Sequence, residues 1–297
     1  MSLRLALLSL WLRWVEKPKL ARAAPMAARA NFERQGRLFR DPPFALYLQD
    51  NLGGVPVAWA SARARRPEVI LWCHGGAHIM GSARTHRAML ARLSAMSGLR
   101  ACLPDYRRAP EAPFPASLED MASVWTALRA KGYAAQDIVL GGDSSGGGVA
   151  LALLSQLLAA GETPAAVVAI APFTDLTGQG ASFTENAARD ALLPAERLAE
   201  VVDLFLAGGD PHAPLASPLF ARFPALPPVF LQVAETEILR DDTLRMAEHL
   251  RREGGQVTLD LWPDCPHVWA MFQGFVPEAD EALRRIASFI HSSLRGR

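Results

Sequence analysis

Apolar residues along the chain follow two rhythms. Short runs of β-branched, leucine and aromatic residues read as strands: "FALYLQD" from Phe44, "VPVAWA" from Val55, "EVILWC" from Glu68, "RACLPDY" from Arg100, "DIVLGG" from Asp137, "AVVAIAP" from Ala166, "VFLQVAE" from Val229 and "VTLDLWP" from Val257. The first two are close enough to form a hairpin. Between the later runs lie alanine-rich stretches with apolar positions at helical spacing, such as Met89 to Met96 and Asp242 to Arg252. This alternation predicts an α/β domain, a mostly parallel sheet with helices on both faces.

Two segments break the alternation. From Thr177 to about Pro214 the residues are polar and alanine-rich, with one helix-like piece from near Pro194, and the segment reads as an insertion over the strand ends. At the N-terminus, leucines and tryptophans recur at helical spacing with Arg4, Arg13, Glu16 and Lys17 between them. The uncharged run from Leu5 to Leu12 is short for a secretory signal and far below the ~20 residues of a membrane span. An amphipathic helix packed on the protein is the expectation. The predicted organisation is an arm over 1–45 and a catalytic domain over 46–297, with a cap insertion at about 177–214.

Composition narrows the class. Apolar residues make up 50% and charged residues 21% of 297, with a net charge of +1, which offers no surface for nucleic acid. Cys73, Cys102 and Cys265 are too few and too scattered for a disulfide framework or a metal site, and their odd number fits a reducing compartment such as the cytoplasm.

The chemistry starts at "GGDSSGGG", Gly141 to Gly148. No phosphate-binding register can be drawn through it, and it has one residue too many for a G-D-S-G-G protease signature. Gly142, Asp143, Ser144, Ser145 and Gly146 do match G-x-S-x-G, the strained turn that lifts a serine above a strand end. The run before it reads as a strand and "VALALLSQLLAAG" after it as a helix, which this turn requires and a flexible linker would lack.

A serine hydroxyl needs a base and an orienting carboxylate. Among seven histidines, His78, His86, His249 and His291 read as surface residues and His212 lies in the insertion, leaving His74 and His267. His267 follows the last strand and is the candidate base. The acid should precede it, in "TEILRDD" after the seventh strand. Glu237 stands before the helix begins and is the candidate, with Asp241 as its alternate. "HGGA" from His74 offers backbone donors for an oxyanion at Gly75, Gly76 and Ala77, joined by Ser145, and leaves His74 to shape the loop. A rival triad of His74, Asp105 and Ser144 fails because the helices between them contradict a two-barrel protease.

"HGGA", "DYRRAPEAPFPA" from Asp105, "GDSSGG", "SPL" from Ser217, "ETEILRDD" from Glu235 and "PH" at Pro266 together resemble the hormone-sensitive-lipase-like bacterial carboxylesterases of the α/β-hydrolase fold. The resemblance runs from about Pro67 to the C-terminus. It implies Ser144 as nucleophile and His267 as base, with the arm and the insertion as a helical cap. The implied reaction is hydrolysis of small esters of short to medium acyl chain, with no metal or cofactor. Two departures are visible: Ala77 where the family usually has glycine, and Glu237 where many members carry aspartate. An acyltransferase, an amide deacylase or a ligand-binding relic of the fold are the alternatives. An exposed edge on the last strand is compatible with a homodimer.

Overall fold

Every run read as a strand enters one eight-stranded sheet in the computed structural model, which describes residues 1–295. The strands are β1 (Leu46–Leu52), β2 (Val55–Ser61), β3 (Val69–Cys73), β4 (Arg100–Pro104), β5 (Ile138–Asp143), β6 (Ala166–Ile170), β7 (Val229–Ala234) and β8 (Val257–Trp262), in the order β1-β2-β4-β3-β5-β6-β7-β8. The β1–β2 hairpin pairs antiparallel and meets β4 antiparallel; all later pairs are parallel. In β3, β5, β6 and β7 every residue is buried, so the alternation of a half-exposed strand gives way there to unbroken apolar runs.

The helices are α1 (Leu3–Trp11), α2 (Lys17–Arg22), α3 (Pro25–Gln35), α4 (Ala83–Ser97), α5 (Ala116–Ala130), α6 (Ser144–Ala159), α7 (Ser182–Glu185), α8 (Leu198–Leu206), α9 (Arg240–Arg252) and α10 (Pro277–Arg295). Successive strand residues point to opposite faces, and the core divides accordingly. On one face Leu71 and Leu140 meet α5, α6 and α9 through Trp125, Leu151, Leu154 and Met246. On the other, Ile70, Trp72 and Val139 meet α4 and α10 through Met89, Leu93, Ile286 and Ile290. Each such leucine or isoleucine contributes roughly 1.5–3 kcal/mol on burial.

The arm packs as its periodicity predicts. Ser2 caps α1 by accepting the Leu5 N–H, and its own hydroxyl donates to Glu278 at 2.8 Å. Leu5, Leu8 and Leu12 are buried with Trp262, Cys265 and Trp269. A π-helical turn over Leu12–Glu16 leads into α2. The interval 177–214 contains no strand; its α7 and α8 lie over the strand ends, with Phe183, Phe205 and Leu206 packed on Ile238 and Leu239. All three cysteines are buried and free. Among the described residues no helix is long and apolar enough to cross a membrane.

Candidate active site

Strand β5 ends at Asp143 and α6 begins at Ser144, whose φ of 54° places it in the left-handed region. A turn this tight works only with bare backbone on both sides. A Cβ on Gly142 would sit 2.4 Å from the Gly146 carbonyl oxygen, and one on Gly146 would sit 2.2 Å from that of Cys73. Ser144 therefore stands at the strand end on the N-terminus of α6, where free N–H groups and the positive dipole end converge. Its hydroxyl is partly exposed to a cavity and bonds to no group among the described residues.

Glu237 lies in the loop between β7 and α9, and His267 in the loop after β8. Both are buried, and His267 Nδ1 is 2.6 Å from Glu237 Oε2. The other Glu237 oxygen accepts the Ala234 N–H at 2.8 Å, so the carboxylate is fixed at both ends. Burial opposes a charged imidazole here, yet the hydrogen bond and charge of Glu237 outweigh it, and the pKa of His267 lies above its ordinary value of 6.5. Burial also raises the carboxyl of Glu237, offset in part by the same bond. Asp241 points elsewhere: it accepts the Ser182 N–H at 2.9 Å and pairs with Arg240 at 2.8 Å.

The loop that carries Glu237 is propped by the insertion. Asn186 Nδ2 donates to the carbonyls of Glu235 and Glu237, both at 2.8 Å. Ser182 Oγ donates to the Ile238 carbonyl at 2.6 Å. Asp190 accepts the Ile238 N–H on one oxygen and those of Leu192 and Leu193 on the other. None of these three residues is legible as a site residue from sequence, because each acts on backbone about 50 positions away.

The segment after β3 faces Ser144 from the opposite side. His74 is buried with its ring stacked on Tyr106, centroids 4.1 Å apart, and its carbonyl accepts the Tyr106 hydroxyl. Burial, aided by the nearby His86, pushes its pKa down to about 3. It is held as a loop former, and Asp105 instead accepts the Ala83 N–H. The Gly75 amide, expected as an oxyanion donor, is already engaged: it donates to Asp143 Oδ2 at 3.1 Å, which removes it from that set. The Gly76 and Ala77 amides donate to no group among the described residues, and Ala77 takes φ of 55°.

Two histidines read as surface residues are buried. His86 on α4 lies 3.1 Å from Asp143, whose other oxygen accepts the Trp72 indole N–H at 2.8 Å. Burial alone would raise the Asp143 carboxyl, but its electrostatic interaction with His86 and these bonds lower it. The chain thus holds a fixed anion directly beneath the turn that carries Ser144. His78 donates its amide to Ser145 Oγ and stacks its ring on Phe205 of α8, centroids 3.6 Å apart. The helical pattern of α4 contained the signal for His86: the position falls on its buried face, with Met89, Leu90 and Leu93.

Ser144, His267, Gly76 and Ala77 line one cavity of about 460 Å³, walled mainly by apolar side chains of the arm and the insertion, among them Leu8, Trp11 and Leu198. Among the described residues no three His, Cys, Asp or Glu side chains gather as metal ligands would. The arrangement suits acyl transfer at a carbonyl: a hydroxyl at a helix N-terminus, an imidazole with an anion behind it, and free amides on a facing loop.

Residues 70–271 match a protein family of the alpha/beta hydrolase fold. An acetyl-hydrolase of Streptomyces hygroscopicus is 35% identical over 243 residues, which span 82% of this chain and 81% of that one. An esterase of Acinetobacter venetianus is 34% identical over 94% of this chain and 92% of its own. The crystal structure of an esterase from the bacterial hormone-sensitive lipase family superposes with a TM-score of 0.94 at 37% identity, covering 99% of each chain. The chain belongs to the bacterial hormone-sensitive lipase family of the α/β-hydrolase fold. The sequence reading of fold and family holds. Within the hormone-sensitive lipase family, this member places Ala77 at the position the resemblance gives to glycine, and its backbone there adopts a left-handed conformation that an alanine rarely takes.

Proposed function

We propose that this protein is a serine carboxylesterase in which Ser144 is the nucleophile, His267 the general base and Glu237 the residue that orients it. Ser144 Oγ attacks the ester carbonyl while its proton passes to His267 Nε2. The oxyanion is met by the amides of Gly76, Ala77 and Ser145, each worth roughly 3 kcal/mol of barrier. Collapse expels the alcohol, which takes the proton from Nε2. Water, deprotonated by the same nitrogen, then attacks the acyl-enzyme and releases the acid and Ser144. His267 keeps its Nδ1 proton throughout, donating it in a hydrogen bond to Glu237, whose charge stabilises the imidazolium as it forms.

The observation that carries this reading is the 2.6 Å bond between His267 and Glu237, which fixes Nδ1–H and leaves Nε2 to the cavity that also holds Ser144. The arm 1–45 and the insertion at about 177–214 form the cap over a catalytic domain of 46–297. A cavity of this size under a cap suits acyl chains of short to medium length. Three free, buried cysteines suit a cytoplasmic setting. The outer edge of β8 is the surface a homodimer would use, and light scattering tests that part. The chemistry is tested by labelling with a fluorophosphonate and mapping the modified peptide: adduct on Ser144 is the expected result, and adduct elsewhere or none overturns the assignment.

A further inference from the structure

Helix α1 is apolar on two opposite faces. Leu5, Leu8 and Leu12 face the protein. Leu3, Leu7, Leu10, Trp11 and Trp14 face outward, with Leu3 76% and Trp14 74% exposed. At 3.6 residues per turn Leu3, Leu7, Leu10 and Trp11 of α1 occupy an arc of about 100°, which makes them a continuous stripe, and Trp14 is exposed on the π-helical turn that follows. Trp11 also lines the cavity, as do Leu38 and Phe275, both exposed at its mouth. Arg4 lies over the Phe275 ring and donates to its carbonyl, which joins the stripe to that rim.

Charge is segregated along the same segment. Residues 1–40 hold nine Lys and Arg against two Glu, a net charge of +7, while the whole chain carries +1 and the remainder therefore −6. Arg4, Arg13, Arg22, Arg34, Arg37 and Arg40 have no carboxylate partner among the described residues. A second copy of this chain would bring +7 against +7 across a twofold axis, which argues against self-association through this face. An outward stripe of leucine and tryptophan within a basic segment matches the interfacial plane of an anionic bilayer.

We propose that the arm docks the enzyme on anionic lipid, with the outward face of α1 in the interface and the cavity mouth opening beside it. Ester substrate then reaches Ser144 by lateral entry from the lipid. Docking itself does not depend on the catalytic reading, and Ser144→Ala protein is expected to bind as the wild type does.

The test is co-sedimentation of the full chain with vesicles of phosphatidylcholine, alone or with about one-third phosphatidylglycerol, at about 0.05 M and about 0.5 M salt. Binding is expected only to the anionic vesicles, weakened at least about tenfold by the higher salt. Leu7→Ser combined with Trp14→Ser, and separately Arg34→Glu with Arg37→Glu, should each cut partitioning at least about tenfold. Hydrolysis of soluble p-nitrophenyl acetate should stay unchanged, which shows that the variants fold. Quenching of wild-type tryptophan fluorescence by brominated phosphatidylglycerol is expected and needs no variant. Protein left in the supernatant, equal binding to neutral vesicles, undiminished binding by folded variants, or absence of quenching would each overturn the proposal. So would a lipid-free dimer abolished by the Leu7 and Trp14 changes, which would assign the stripe to a second copy.

Discussion

Replacing Glu237 by Gln changes one atom and almost no volume, so the buried site keeps its shape. The Gln carbonyl oxygen can keep the Ala234 N–H, which accepts no substitute for an oxygen there. The amide nitrogen then faces His267 Nδ1, where it can only donate. Nδ1 must become the acceptor, the ring proton moves to Nε2, and the nitrogen that should take the Ser144 proton is now a donor. Loss of the correct tautomer in a triad costs about 10⁴ in kcat, or ~5.5 kcal/mol of barrier. Asp241→Asn should cost less than tenfold in kcat, since it alters one partly exposed ion pair and one bond to Ser182. Steady-state hydrolysis of p-nitrophenyl butyrate by both variants, with circular dichroism to confirm folding, decides the matter. A Glu237→Gln enzyme within about a hundredfold of wild type, or a larger loss for Asp241→Asn, would refute the reasoning.

Because His267 must be neutral to accept a proton and its pKa is raised, kcat/KM should fall as pH drops through a midpoint above 6.5, and Glu237→Gln should move that limb to lower pH. Ser144→Ala should leave less than about a thousandth of the activity while thermal unfolding stays within a few degrees of wild type. In Gly146→Ala the new Cβ would lie 2.2 and 2.3 Å from the Cys73 and His74 carbonyl oxygens, neither of which can yield. Its Tm should fall by several degrees and activity by more than about a hundredfold; a fully active, equally stable variant would show the elbow has slack. Across p-nitrophenyl esters, each methylene should gain up to about fourfold until roughly eight carbons; a rate still rising at longer chains would contradict a walled cavity.

The sheet was legible because its strands are unbroken apolar runs, and the site because "GDSSGG" and "HGGA" encode local backbone geometry that only small residues permit. Less was legible where partners are distant. His86 and His78 look polar in sequence, yet one is drawn inward by Asp143, 57 residues on, and the other stacks on Phe205 of α8. The occupied Gly75 amide depends on a carboxylate 68 residues away, so no local pattern could separate Gly75 from Gly76. The choice of Glu237 over Asp241 was approachable from the position of each relative to the start of α9, since Asp241 falls inside the helix.

The props that Ser182, Asn186 and Asp190 place under the loop of Glu237 give the cap a second office. A cap that only roofed the cavity could lift to admit substrate and leave the machinery beneath it intact. On the proposed reading the roof and the mounting of the acid are the same piece of chain, so uncovering the site would also loosen the loop of Glu237. On the proposed triad, reactivity is thereby tied to enclosure. For anyone reshaping this enzyme, the stretch 182–190 belongs with the loop of Glu237, while Leu192, Leu193, Leu198 and Val201 are the positions of the insertion that shape the cavity wall.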